Sequence, residues 1–247
     1  MKGAAGSAAP GLPSQECKKA VLSYTSIIIF VLALGGLAWM ALRDQRARHA
    51  SRECLLDECA CAFDRHAITH DGDHFPKLSG RIGGRNIDLR LICDTMTIRR
   101  LPQLWMQVTQ LVRLEGVGGF AILVRPSGYE FYSMTASYHH VVETPAGFPS
   151  EIIIRAKDRK AALMFERLAP AIAPILADER VKEVAVAPEG IRIIRQASEG
   201  KRGDYLLLRQ AVFEEAVVST EMLDTVLREL DSIHAAFAEK NRETVLA

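Results

Sequence analysis

The chain has 247 residues, 49% of them hydrophobic and 25% charged, which is enough apolar content for one good core or two small ones and excludes disorder for most of its length. Lys and Arg number 31 against 30 Asp and Glu, and no basic stripe with interleaved aromatics occurs, so nothing in the charge pattern points to a nucleic-acid partner.

Residues 1–19, MKGAAGSAAPGLPSQECKK, are rich in Ala, Gly, Pro and Ser without apolar periodicity, and are expected to form a disordered tail. Residues 20–42, AVLSYTSIIIFVLALGGLAWMAL, carry no charge and are bounded by Lys18-Lys19 and Arg43. At about 1.5 Å per helical residue they reach roughly 34 Å, enough to cross a hydrocarbon core of about 30 Å. Tyr24 and Trp39 lie near the two ends, where amphipathic rings favour the interface. The expectation is a transmembrane helix that makes the lipid bilayer the first partner. A cleaved signal peptide is the alternative, since Gly36 and Ala38 offer cleavage spacing, but the apolar run continues through Trp39 and Met40. The pair Gly35-Gly36 has no small-residue ladder extending from it, so dimerisation through this helix is not indicated.

Lys18 and Lys19 compete with Arg43, Arg46, Arg48 and Arg52 in setting orientation, and the balance favours a cytoplasmic C-terminal domain, with a periplasmic one as the alternative. The five cysteines agree: their number is odd, and Cys54, Cys59 and Cys61 are crowded instead of being spread as staples. The resulting expectation is a single-pass protein of a bacterial inner membrane.

Residues 43–74 are expected to form a juxtamembrane helix and its exit loop. The segment CLLDECACAFDRHAITHDGDH, residues 54–74, holds three cysteines and three histidines. Leu55, Leu56, Cys59, Ala60 and Phe63 follow the apolar stripe of an amphipathic helix, so Cys59 is expected to be buried while Cys54 and Cys61 share another face. No CxxC pair occurs, and the cysteines make a weak zinc motif. His66 and His70, four apart, would share one helical face at a spacing that chelates a transition metal, with Asp71, Asp73 and His74 as further ligands. Asp71-Gly72-Asp73 also reads as the turn that ends the helix, which makes these histidines a solvated exit. That plainer reading is preferred: no metal and no cofactor is expected, and His66, His70 and His74 are kept only as minority candidates.

Residues 75–247 read as a soluble α+β domain, with two half-size lobes as a variant. FPKLSGRI and RNIDLRLI flank Gly83-Gly84 as a hairpin with a type I′ turn. In LWMQVTQLVRLEG, residues Met106, Val108, Val112 and Leu114 alternate as in a strand. Gly116, Gly118 and Ala121 match the letters of a dinucleotide fingerprint, but a strand follows where a helix is needed, so nucleotide binding is rejected. VRPSGYEF and VAPEGIRI echo one another, and each is expected to form a strand, a tight turn and a returning strand. EIIIRA reads as a short strand. Asp158 is the expected N-cap of a helix through Leu163, Leu168, Ile172 and Ile175, which Pro170 and Pro174 should kink or end. GDYLLLRQAVF reads as a further strand, and Ser219 or Thr220 opens a terminal helix whose stripe runs Met222, Leu223, Val226, Leu227, Leu230, Ile233 and Phe237.

Strands followed by helices predict a largely antiparallel sheet covered on one face by two principal helices. The pattern GRIGGRNIDLRL followed by ILVRPSGY, between Gly80 and Gly128, resembles that of uncharacterised bacterial proteins in which one membrane helix precedes an α+β domain. The resemblance rests on turn residues and transfers no catalytic set. Cys93-Asp94, Ser137, His139-His140 and the loop EGKRGDY are polar candidates without a convergent pattern, and Glu199 to Arg202 reads as a solvated turn. The expectation is therefore a non-enzymatic membrane protein whose domain binds another protein or serves as an assembly platform. The alternative is a metal- or thiol-dependent sensor or enzyme centred on residues 54–74.

Overall fold

The computed structural model describes residues 15–70, 72, 75–95, 101–116, 118–208, 210–213 and 218–246. The expected metal candidate His74, the acids Asp71 and Asp73, and most of the expected N-terminal tail lie outside these residues. The chain divides into two units, residues 1–48 and 49–247.

All described residues of the first unit belong to α1 (Gln15–Glu53). Among the described residues this is the one helix long and apolar enough to cross a membrane, and its most apolar window has a mean hydropathy of 2.0 with none of that window buried. Such a helix near an N-terminus fits an anchor or a signal sequence. At the end of the apolar run the Arg43 guanidinium lies 5.7 Å from the centroid of the Trp39 ring, and Arg48 pairs with Asp44 one turn away.

Among the described residues the second unit is an α+β fold built on one nine-stranded antiparallel sheet. Its strands are β1 (Arg65–His70), β2 (Pro76–Ile82), β3 (Arg85–Asp94), β4 (Gln103–Leu111), β5 (Phe120–Val124), β6 (His140–Val141), β7 (Ile152–Ala156), β8 (Val181–Ala187) and β9 (Gly190–Glu199), in the spatial order β1-β2-β3-β4-β9-β8-β5-β7-β6. Gly83 and Gly84 turn the β2-β3 hairpin with φ of 53° and 82°, as a type I′ turn requires. The first four strands form a meander, and among the described residues the β4-β9 ladder alone joins it to the other strands.

One face of the sheet packs under α3 (Arg159–Leu176) and α5 (Thr220–Leu246). Leu78, Leu89, Met106, Val108, Ile193, Val184 and Ile122 meet Phe165, Leu168 and Ile172 of α3 and Leu223, Val226, Leu230 and Ile233 of α5 in one cluster. Each fully buried side chain of this kind contributes about 1.5–3 kcal/mol relative to exposure. Asp158 caps α3 by accepting from the Ala161 N–H at 2.8 Å, and Ser219 Oγ accepts from the Met222 N–H at 3.2 Å. The buried Arg195, on the helix side of β9, is paired with Asp178 and Glu229.

The structure corrects three expectations. The juxtamembrane helix does not reach His66: after α1 come a 3-10 turn (Cys54–Leu56) and the short α2 (Asp57–Ala60), and residues 65–70 form a strand. A six-residue ladder with β2 outweighs the local helical pattern there. VRPSGYEF makes no returning strand, because residues 125–139 leave the sheet as a loop with one 3-10 turn (Met134–Ser137). The expected strand GDYLLLRQAVF begins instead inside α4 (Arg202–Leu208). An unbroken LLL run has no readable period, and β9 already has β4 and β8 on its two edges. Pro170 and Pro174, expected to kink or end α3, both lie inside it on its exposed side, so the helix ends at neither. Leu163 lies in α3 as its spacing predicts and is 50% exposed, while Leu168, Ile172 and Ile175 are buried.

Candidate functional site

On the sheet face opposite the helices, alternation brings Arg90, Ile92, Gln107, Trp105, Ile194 and Arg192 to one side. This face is half polar, and the loop 125–139 covers part of it. A register shift between Val181 and Glu183 marks a β-bulge in β8, and Lys182 and Glu183 both reach that loop.

Lys182 Nζ donates to Glu130 Oε1 at 2.8 Å and to the Arg125 carbonyl at 2.6 Å, and both charged side chains are almost fully buried. Glu130 also accepts from the Ser127 N–H at 2.6 Å, the Ser127 hydroxyl at 2.7 Å and the Gly128 N–H at 2.9 Å. Burial opposes ionisation of this carboxyl, but the hydrogen bonds from Lys182 and Ser127 outweigh it and hold the group at about 2. A second buried carboxylate, Glu183, pairs with Arg192 and accepts from the Met134 N–H at 3.0 Å, while Arg192 donates to the Tyr132 carbonyl at 3.3 Å. These two ion pairs tie both halves of the loop to β8 and β9. Arg125, at φ 49° beside Pro126, starts the departure from the sheet, and its guanidinium donates to the Val181 carbonyl at 2.7 Å.

This ionic base supports aromatic rings. Tyr132 is buried, 6.1 Å from Trp105, and burial followed by the nearby carboxylates of Asp94, Glu130 and Glu183 pushes its phenol up. Phe131 stands edge-on to Tyr132 at 5.2 Å yet is 66% exposed, and Tyr129 is 53% exposed. Beside them a cavity of about 410 Å³ is lined by Gly72, Arg90, Leu91, Ile92, Cys93, Phe131 and Tyr132.

The expected chemical candidates do not meet in this cavity. Of the candidates among the described residues, only Cys93 contributes to the lining, and His66, His70, His139 and His140 do not. Cys93 on β3 and His140 on β6 are six strand spacings apart, roughly 29 Å along the sheet, so they do not form a nucleophile and base within one chain. Ser137 is exposed in the 3-10 turn, and Arg202, Gly203 and Asp204 open α4. Among the described residues no group of three or more His, Cys, Asp or Glu is placed to hold a metal ion. His66 and His70 lie on a strand, where four residues span roughly 13 Å instead of one helical turn.

The three crowded cysteines separate as the stripe predicted. Cys59 is fully buried, its thiol 3.5 Å from the Val218 carbonyl, and burial, with Glu58 and Asp224 adding to it, pushes the group up to about 12. Cys54 and Cys61 are exposed. Iodoacetamide at pH 8 should therefore alkylate Cys54 and Cys61 in the folded chain and leave Cys59 unmodified until denaturant is added. Peptide mass mapping checks this, and labelling of native Cys59 at a rate comparable to its neighbours would contradict the burial.

Sequence reasoning missed Glu130, Lys182, Glu183 and Arg192. A signal was present: Lys182-Glu183 interrupts the apolar run VKEVAVA, where two adjacent charges in a buried strand require partners. Comparison with protein-family models and with curated proteins finds no match to the chain.

Proposed function

We propose that this chain is a single-pass protein of a bacterial inner membrane, not an enzyme, whose second unit lies on the cytoplasmic side and serves as a protein-interaction platform. The observation that carries this reading is the loop 125–139, which displays Phe131 and Tyr129 to solvent from a base of two buried ion pairs. Exposed aromatic rings held on an ordered loop lose little side-chain entropy on binding, and rings of this type dominate the energetics of protein interfaces. The arginines after the apolar helix support the orientation.

Affinity purification of the tagged full chain after crosslinking in membranes tests the proposal. A defined partner should be recovered with the native chain and reduced at least tenfold with Phe131→Ala plus Tyr129→Ala, at an unchanged melting temperature. Equal recovery with native and doubly substituted chains, or repeated recovery of no partner, would sink the idea.

A further inference from the structure

Strand β1 stands at one end of the sheet, and among the described residues nothing pairs with its outer edge. All six of its residues are exposed, and its ladder to β2 is continuous, with no proline or bulge inside Arg65–His70. Natural proteins usually blunt such an edge, because its free N–H and C=O groups are a template for another strand. Ladder partners place His66 opposite Gly80, Ile68 opposite Leu78 and His70 opposite Pro76, so these three side chains share the face that Leu78 turns toward the helices. Within one chain the two imidazoles are too far apart for a single ion. Paired with the same strand of another chain, they are not.

We propose that β1 pairs antiparallel with β1 of a second copy, centred on Ile68, and that the joined edges bind two divalent transition-metal ions of the zinc class. Each ion sits between His66 of one copy and His70 of the other. The strand's own pattern selects this occupant and register. An antiparallel ladder between identical strands is centred on a residue, and only centres at Ala67 or Ile68 keep five residue pairs within β1. Centring on Ala67 sets the 46%-exposed Ile68 opposite His66. Centring on Ile68 sets the two isoleucines against each other and Ala67 opposite Thr69, and leaves Arg65, the one fixed charge of the strand, outside the five pairs. It also sets His66 directly opposite His70, with Cβ atoms about 4.5–5.5 Å apart, a separation from which two imidazole nitrogens reach a common ion at about 2.0–2.1 Å. Five residue pairs bury less than a stable interface needs, so association should depend on the metal.

The test uses the full chain in detergent micelles with zinc chloride as the probe, followed by sedimentation and calorimetry. Zinc should tighten dimerisation at least tenfold with one ion bound per chain, and EDTA should reverse it. His66→Ala and His70→Ala should each abolish the effect. Mixing the two variants should restore a zinc-dependent dimer, because the mixed pair keeps one His66 opposite one His70. Ile68→Lys, which retains both imidazoles, should also lose the dimer. The proposal is overturned by a native chain whose association ignores zinc, by a zinc-dependent dimer that survives either histidine substitution or Ile68→Lys, or by a mixture that stays monomeric. None of these readings involves Phe131 or its partner.

Discussion

Replacing Glu130 by Gln should lower the melting temperature of the full chain by roughly 10 °C. The substitution leaves Lys182, almost fully buried, without its counter-charge, and breaking a buried pair in this way costs about 3–5 kcal/mol. The pH dependence follows from the same contacts. Glu130 is held at about 2 in the folded chain against an ordinary value of 4.5, so the unfolded chain takes up the proton first. The stabilisation is complete above pH 4.5 and is lost as pH falls from there toward 2. Its size is at most about 3 kcal/mol, and it should be missing from the Glu130→Gln chain. Melting curves between pH 6 and pH 2 check both statements, and an identical acid dependence in the two chains would refute the assignment. Removing both charges, as Glu130→Gln with Lys182→Met, should recover much of the loss, because no unpaired charge is then buried.

The second large effect is expected at the seam of the sheet. Gly190 begins β9 opposite Leu111 of β4, and a Cβ there would stand 2.2 Å from the Gln110 carbonyl oxygen at a backbone φ of 157°. That contact is with backbone on a neighbouring strand, so no side-chain rotation relieves it. Gly190→Ala should cost about 2–3 kcal/mol, or roughly 5–10 °C in melting temperature. Hydrogen exchange should locate the damage, with amides of β4 and β9 near Leu111 and Gly190 losing protection before those of β5 and β7. Unchanged protection at the seam would show that the strands separate there without cost.

The fold was largely legible because its signals are local and periodic. The 23-residue uncharged run, the Gly83-Gly84 hairpin, the Asp158 cap and the α5 stripe each depend on residues a few positions apart. The failures share the opposite property. Residues 65–70 became a strand through pairing with β2, and GDYLLL, residues 203–208, joined α4 where a run of three leucines fits either period. VRPSGYEF carries good turn letters, yet its carboxylate Glu130 found Lys182, 52 positions away, and the chain closed into a loop in place of a hairpin.

The sequence by itself determined the apolar helix, the α+β class and the burial of Cys59, because hydrophobic periodicity and turn chemistry act over short distances. Tertiary structure alone decided that Phe131 rests on two buried ion pairs, that Cys93 and His140 lie on distant strands, and that His66 and His70 are exposed on a strand whose outer edge pairs with nothing among the described residues. Those outcomes depend on which strands become neighbours, and strand order is set by the packing of the whole sheet against α3 and α5, which no local pattern records.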